Sequence, residues 1–237
     1  MGPKTRADRH NRLSRWNFVP CEHDSSAVLV GMQVRALGMI VALALSVCMI
    51  GGCGSTKKAS LNGVVVTPRP NVASVTLPDV TNGGRPFPMR AVPHGLLVVY
   101  FGYTSCPDLC PTTLSDISVA LRKVGNDRAR RVEVAMATVD PDRDTPPVLT
   151  GFLDHFLTTS HALRTTDVKV LAHATEKFGA RYEVAKHQPG DTDYAVGHTA
   201  LTYVVNDQGL VLVEWPFGIN PPEMASDLKL LLKEEAS

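Results

Sequence analysis

The sequence lacks a dominant charge: 24 Lys and Arg stand against 23 Asp and Glu, a net charge of +1 over 237 residues. That balance offers no basic field for nucleic acid and no acidic tail. Aromatic residues are scarce, at 6%, and there is no internal repeat and no long low-complexity segment. The longest uncharged apolar run, Ala36 to Ile50, has 15 residues and falls short of the roughly 20 that a membrane-spanning helix needs. Cysteine is rare too, with five in the chain. What remains is ordinary globular composition, 44% hydrophobic and 20% charged, enough for one domain with a real core.

The short apolar run has its own meaning. Arg35 precedes it and Gly51-Gly52-Cys53 follow it. A basic start, a short apolar centre and small residues at the end describe a secretory signal peptide. A cysteine directly after the small pair resembles the bacterial lipobox, with Ile50 where leucine is commoner. Residues 32–52 are thus expected to be a lipoprotein signal peptide, and Cys53 to be the lipidated mature N-terminus, anchored on the outer face of the cell membrane. A signal of this kind belongs at a terminus, so residues 1–31 are expected to be a misassigned extension, with translation starting at Met32.

Processing changes the accounts. The lost segment carries six Lys/Arg and three Asp/Glu, which takes the net charge from +1 to −2. Cys21 and Cys48 are removed, Cys53 takes lipid, and Cys106 and Cys110 remain as the free thiols. Outside the cytosol such a pair oxidises unless something reduces it or a metal occupies it.

Residues 53–71 are mixed polar, Gly and Pro, and are expected to be a tether; residues 72–237 are expected to be the functional domain. Val75 to Val80 and Phe87 to Val92 flank an Asn82-Gly83-Gly84 turn, a hairpin signal. Gly95 to Tyr103 is a near-continuous apolar run, as in a strand covered on both faces. Pro111 to Val124 carries apolar residues at helical spacing, and Arg131 to Val139 reads as a second buried strand. Thr145 to Phe156 and Asp167 to Phe178 read as helices, the first opening on Thr-Pro-Pro. Ala200 to Val205 and Leu210 to Glu214 pair around Asn206-Asp207-Gln208-Gly209, and Pro221 to Glu235 closes the chain as a helix. This order specifies an α/β sheet with an extra N-terminal hairpin and a C-terminal antiparallel hairpin plus helix.

The chemistry concentrates in YFGYTSCPDLCPTT. A C-x-x-x-C pair at the mouth of a helix puts both sulfurs on one face about a turn apart. The free N–H groups and positive end of that helix favour thiolate over thiol. Such a pair is open to three fates: a Cys106–Cys110 disulfide, a redox couple, or part of a metal site for Cu(I) or zinc. A metal would need a third ligand. His155, His161 and His173 lie on or between polar helices and are expected to be solvated, and His94 and His187 to be surface residues of a turn and a loop. His198 differs, standing at the head of the Ala200 to Val205 strand.

FGYTSCPDLCPTT, ATVDPDRDTP and YAVGHTALTYVVNDQG together resemble the Sco/SenC family of copper-binding assembly proteins, over roughly Val75 to Glu235. The resemblance implies a thioredoxin-like fold, and a copper site of Cys106, Cys110 and His198 holding Cu(I), with Cu(II) as a second form. It implies delivery of copper to a subunit of cytochrome c oxidase that carries the binuclear copper centre. A thiol reductant and the membrane anchor complete the expected partners, with no nucleic acid among them. Two departures stand out: Gly197 where the family often has an Asp before the histidine, and Pro93-His94-Gly95 where a Gly-Lys turn is common.

The competing class is an extracytoplasmic thiol–disulfide oxidoreductase, in which Cys106 and Cys110 attack a target disulfide. Against it, such reductants resemble one another in C-x-x-C and a proline before the later strand, and Val196-Gly197-His198-Thr199 has none. A peroxidase gives His198 no task, and a structural zinc site would need a fourth ligand. Asp140 and Asp144 lie at the carboxyl end of a strand, where α/β ligands sit. The simpler expectation for them is local: Asp144 capping the next helix and Asp140 shaping a turn.

Overall fold

A computed structural model describes residues 60–236. The expected signal peptide, Cys53 and the extension over residues 1–31 lie outside the described residues, as does the tether up to residue 59. In chain order the elements are β1 (Thr76–Asp79), a 3-10 turn (Val80–Asn82), β2 (Arg85–Pro88), β3 (Leu96–Gly102), α1 (Leu109–Val124), α2 (Asn126–Ala129), β4 (Val132–Thr138), α3 (Pro146–Asp154) and β5 (His161–Leu163). There follow α4 (Val168–Phe178), β6 (Tyr182–Val184), β7 (Val196–His198), β8 (Leu201–Val205), β9 (Val211–Pro216) and α5 (Pro221–Glu234).

Seven strands form one sheet in the order β2-β1-β5-β4-β3-β8-β9, and β6 and β7 form a separate two-stranded ribbon. β3, β4 and β5 are parallel, β8 runs antiparallel to β3, and β9, antiparallel to β8, runs in the direction of β3 again. All seven residues of β3 are buried, because helices cover both faces. Alternation along the strand divides the work. Phe101 meets Phe178 of α4 and Tyr203 of β8 edge-on, while Tyr100 turns to the other face and reaches Cys110 of α1. The helix α1 packs on α5 on that side. This is the expected thioredoxin-like arrangement with an added N-terminal hairpin.

The differences from expectation have local causes. β2 begins before Phe87 and includes Pro86 and Pro88, tolerated because β2 is the sheet edge, where a missing N–H faces outward. Three-residue β5, β6 and β7 and the one-turn α2 are too short to give a periodic signal. Asp144 does not cap α3: its N-cap is Thr145, with no side-chain cap bond. The caps that do form are Asp167 on α4, accepting from Lys169 and Val170, and a reciprocal Asn220–Glu223 pair on α5.

The described part of the expected tether is docked. Val64 bridges Glu214 and Asn71 bridges Leu210, so residues 62–71 run as a strap along the outer edge of β9. Among the described residues, no helix is long and apolar enough to cross a membrane.

Candidate metal centre

β3 leaves the sheet at Gly102, and the chain turns through Tyr103 to Asp108 into α1. Cys106 lies in this turn, and Cys110 is the second residue of the helix. The two are held together by a first-turn donor: the Cys110 N–H donates to Cys106 Sγ at 3.4 Å. Cys106 is 8% exposed and Cys110 is fully buried, and both are free thiols. The helix end favours thiolate, but burial of Cys110 outweighs it and pushes its pKa up to about 12. Gly102 makes the close approach possible, since a Cβ there would lie 2.6 Å from the Tyr100 ring and 3.0 Å from Cys110 Sγ.

His198 arrives from the opposite side. It ends β7 of the small ribbon, paired with Tyr182, rather than heading β8 as expected. Its Nδ1 lies 3.1 Å from the Thr199 carbonyl; an Nδ1–H donating there leaves the Nε2 lone pair for the site. Nε2 is 3.6 Å from Cys110 Sγ. Burial lowers the His198 pKa and keeps the imidazole neutral. Tyr100 and Tyr103 meet the ring edge-on at 5.9 and 5.8 Å and fix its plane. One donor atom from each of Cys106, Cys110 and His198 thus falls within 4.8 Å of the others. Two soft sulfurs and one imidazole suit Cu(I), which accepts three ligands without a fourth.

A polar frame holds the cysteine turn. Asp144, fully buried, accepts from the Thr104 N–H at 3.1 Å, from the Thr104 hydroxyl at 2.6 Å and from the Thr138 hydroxyl. It therefore ties the turn, two residues before Cys106, to the end of β4. Asp140 accepts from the Tyr194 hydroxyl at 2.6 Å and pairs with Arg143. The Arg143 guanidinium lies 3.9 Å over the Tyr194 ring, and His187 stacks on that ring at 3.8 Å. Arg143 also donates to the carbonyls of Thr192 and Tyr194. The loop leading into β7, and so into His198, is pinned to the loop after β4. Asp140 and Asp144 are thus frame residues of the site, Asp144 in place of the helix cap expected of it.

Sequence reasoning missed Tyr100, Tyr103, Thr104, Arg143 and Tyr194 as parts of this frame. The signal for Tyr100 was present in the alternation of β3; nothing in the sequence joined Arg143 to Tyr194. His155, His173 and His94 are exposed as expected. His187 borders an open cleft of about 880 Å³ beside Ser105, the neighbour of Cys106. His161 is part-buried rather than solvated: it opens β5, which lies between β1 and β4, and sits between Asp79 and Glu133, on a strand too short to show a period.

A family model described as SCO1/SenC matches residues 80–233. The chain belongs to the SCO1/SenC family. It is similar to an SCO2-like protein of Rickettsia felis, 30% identical over 150 residues that cover 63% of this chain and 72% of the relative. Among solved structures it resembles Bradyrhizobium japonicum ScoI with copper bound, at 30% identity and a TM-score of 0.57, over 66% of this chain and 96% of that one. It also shares the fold of BsSco, a member of the Sco family of cytochrome c oxidase assembly proteins in which a disulfide switch was identified. That likeness has 18% identity and a TM-score of 0.52, over 73% and 98% of the two chains. Gly197 remains a departure from the commoner Asp in this SCO1/SenC protein, and the structure shows what it changes. Position 197 pairs with Glu183 and alternates away from His198 along β7, with open space where a Cβ would stand.

Proposed function

We propose that this SCO1/SenC protein is an exported copper chaperone, held to the outer face of the membrane by lipid on Cys53. Cys106, Cys110 and His198 take up one copper ion and pass it to the copper-accepting subunit of cytochrome c oxidase. The observation that carries the reading is the convergence of two buried thiols and a neutral imidazole within 4.8 Å, in a family whose ScoI relative has copper bound. Both cysteines lose protons when they become ligands. The neutral imidazole needs no such loss, so Cu(I) on two thiolates leaves a single negative charge. Copper is the cargo, and the cleft beside Ser105 leaves an acceptor room to approach Cys106.

A second role rests on the same sulfurs. The Cys110 N–H to Cys106 Sγ contact keeps the pair close enough for a Cys106–Cys110 disulfide. The pair would then give two electrons to an oxidised cysteine pair of the recipient, and a thiol reductant would restore it.

Titration of the reduced domain from Gly54 with Cu(I), against a competing chelator, tests the reading. One copper per chain is expected, with binding weakened at least tenfold in His198→Ala and Cys110→Ser. Tight binding that ignores His198 would sink the three-ligand site. Rapid reduction of generic disulfides by the metal-free protein would favour the oxidoreductase. Intact-mass analysis of the processed protein reads the lipid on Cys53.

A further inference from the structure

The register of the sheet fixes where the chain enters the domain. Pro216 of β9 lies opposite Leu201 of β8, and Val211 opposite Val205. Tyr100 of β3 lies opposite Thr202, and Leu97 opposite Val205. Gly102, Leu201 and Pro216 therefore share one end of the sheet, the end that carries Cys106, Cys110 and His198. The strap bridges Glu214 through Val64 and Leu210 through Asn71. It enters at the metal-centre end and runs away from it, reaching the β8–β9 turn where the Val72 N–H donates to Gly209.

The entry point is pinned. Asp227 on α5, 1% exposed, accepts from the Asn62 N–H at 2.7 Å, the Asn62 amide at 2.8 Å and the Gly63 N–H at 3.0 Å. It also accepts from the Trp215 indole at 3.0 Å. Gly63 lies so close to the edge that a Cβ would stand 2.5 Å from Val213 and 2.6 Å from Trp215. A buried carboxylate serving four donors, with glycine at the point of contact, fixes the strap rather than letting it trail. Two strand spacings, about 10 Å, separate this edge from β3.

We propose that the metal centre of this protein faces the membrane surface. The inference rests on the reading of Cys53 as the lipid anchor. Seven residues, 53–59, then join the anchor to the described chain, and at about 3.5 Å each they reach no farther than about 25 Å. β9 alone is about 20 Å long. To turn the far end toward the bilayer, the fully extended leash would have to lie along the whole length of that edge. With the leash at the other end, the sulfurs are held within a few tens of ångströms of the lipid surface.

The test uses the full chain, exported and processed in a bacterial host, then reconstituted on phosphatidylcholine vesicles doped with a nickel-chelating lipid. A nitroxide is attached through a ketone-bearing residue, which leaves the native thiols untouched. It replaces either Phe217, 47% exposed at the metal-centre end, or Ser74, exposed at the opposite end. Relaxation by surface nickel is expected to be several-fold stronger at 217 than at 74. A twenty-residue Gly-Ser insertion after Ala59 is expected to bring the two toward equality, because the leash then spans about 30 Å as a coil. Equal relaxation in the uninserted protein, or stronger relaxation at 74, overturns the orientation while leaving the anchor standing. Protein that does not float with the vesicles overturns the anchor, and the orientation with it.

Discussion

The Tyr100 hydroxyl donates to Cys110 Sγ across 3.4 Å of buried space. Burial, with Cys110 adding to it, raises the Tyr100 pKa well above the ordinary phenol range, so the group stays a donor at any working pH. Tyr100→Phe keeps the ring against His198 and removes the hydroxyl's bond to Cys110, along with its contact to Thr113. A neutral hydrogen bond contributes about 1 kcal/mol, and about 30 mV corresponds to 1.4 kcal/mol for a two-electron thiol couple. The reduced pair loses the bond, so the Cys106/Cys110 midpoint is expected to fall by about 20 mV. Equilibration with a dithiothreitol buffer measures it, and an unchanged or higher midpoint would show that the hydroxyl does not tune the sulfur.

Gly197→Asp restores the residue common in the family, and the structure argues that little changes at the metal. The new side chain would point away from His198, whose Nδ1 is already engaged by the Thr199 carbonyl. Its neighbour across the ribbon is Glu183, and like charges in that position cost about 0.2–1 kcal/mol. Cu(I) affinity is expected to stay within about threefold of the parent, with a small loss of stability that salt reduces. A tenfold tightening in a competition titration would show that the carboxylate does reach the imidazole.

Asp144 joins the cysteine turn to β4, and its removal separates two effects. In Asp144→Asn an amide N–H replaces one acceptor and faces a backbone or hydroxyl donor. A buried donor left without an acceptor costs about 1–3 kcal/mol, read as a lower midpoint in chemical denaturation. The loosened turn carries Cys106, and supports of metal ligands are typically worth 10–100-fold in affinity. A parallel loss of Cu(I) affinity is therefore expected, with Asp142→Asn, at an exposed neighbour, as the control. Lost stability with unchanged affinity would make the clamp purely structural.

These residues also show what the sequence made legible. The two cysteines announced themselves through spacing, and β3 through an unbroken apolar run whose length matched a covered strand. His198 was found through resemblance, not periodicity, because three-residue β7 has no pattern of its own. The frame was hidden for a different reason. Asp144 and Thr104 are forty positions apart, and a lone Asp before Thr-Pro-Pro carries the same local signature as a helix cap. The docked strap was hidden because Gly and Pro read as tether, whereas Gly63 is needed for a close approach to Trp215. Local pattern reports periodicity and turn chemistry; it does not report which buried carboxylate collects distant donors.

His161 supplies a pH dependence away from the metal. Its Nδ1 lies 2.8 Å from Asp79 and its Nε2 3.5 Å from Glu133, with 26% of the side chain exposed. Burial pulls its pKa down, but Glu133 and Asp79 raise it by more, so the folded value lies above the ordinary one. The unfolded value is about 6.5. The contribution to stability is therefore complete below about pH 6.5 and is lost as pH rises through the folded pKa. His161→Gln removes the titration, so the stability gap between parent and variant is expected to be widest at pH 6 and to narrow by pH 9. What persists there is the neutral Nδ1–H hydrogen bond to Asp79. Urea unfolding of the metal-free proteins at the two pH values measures the gap, and a gap that widens with pH would reverse the assigned sign.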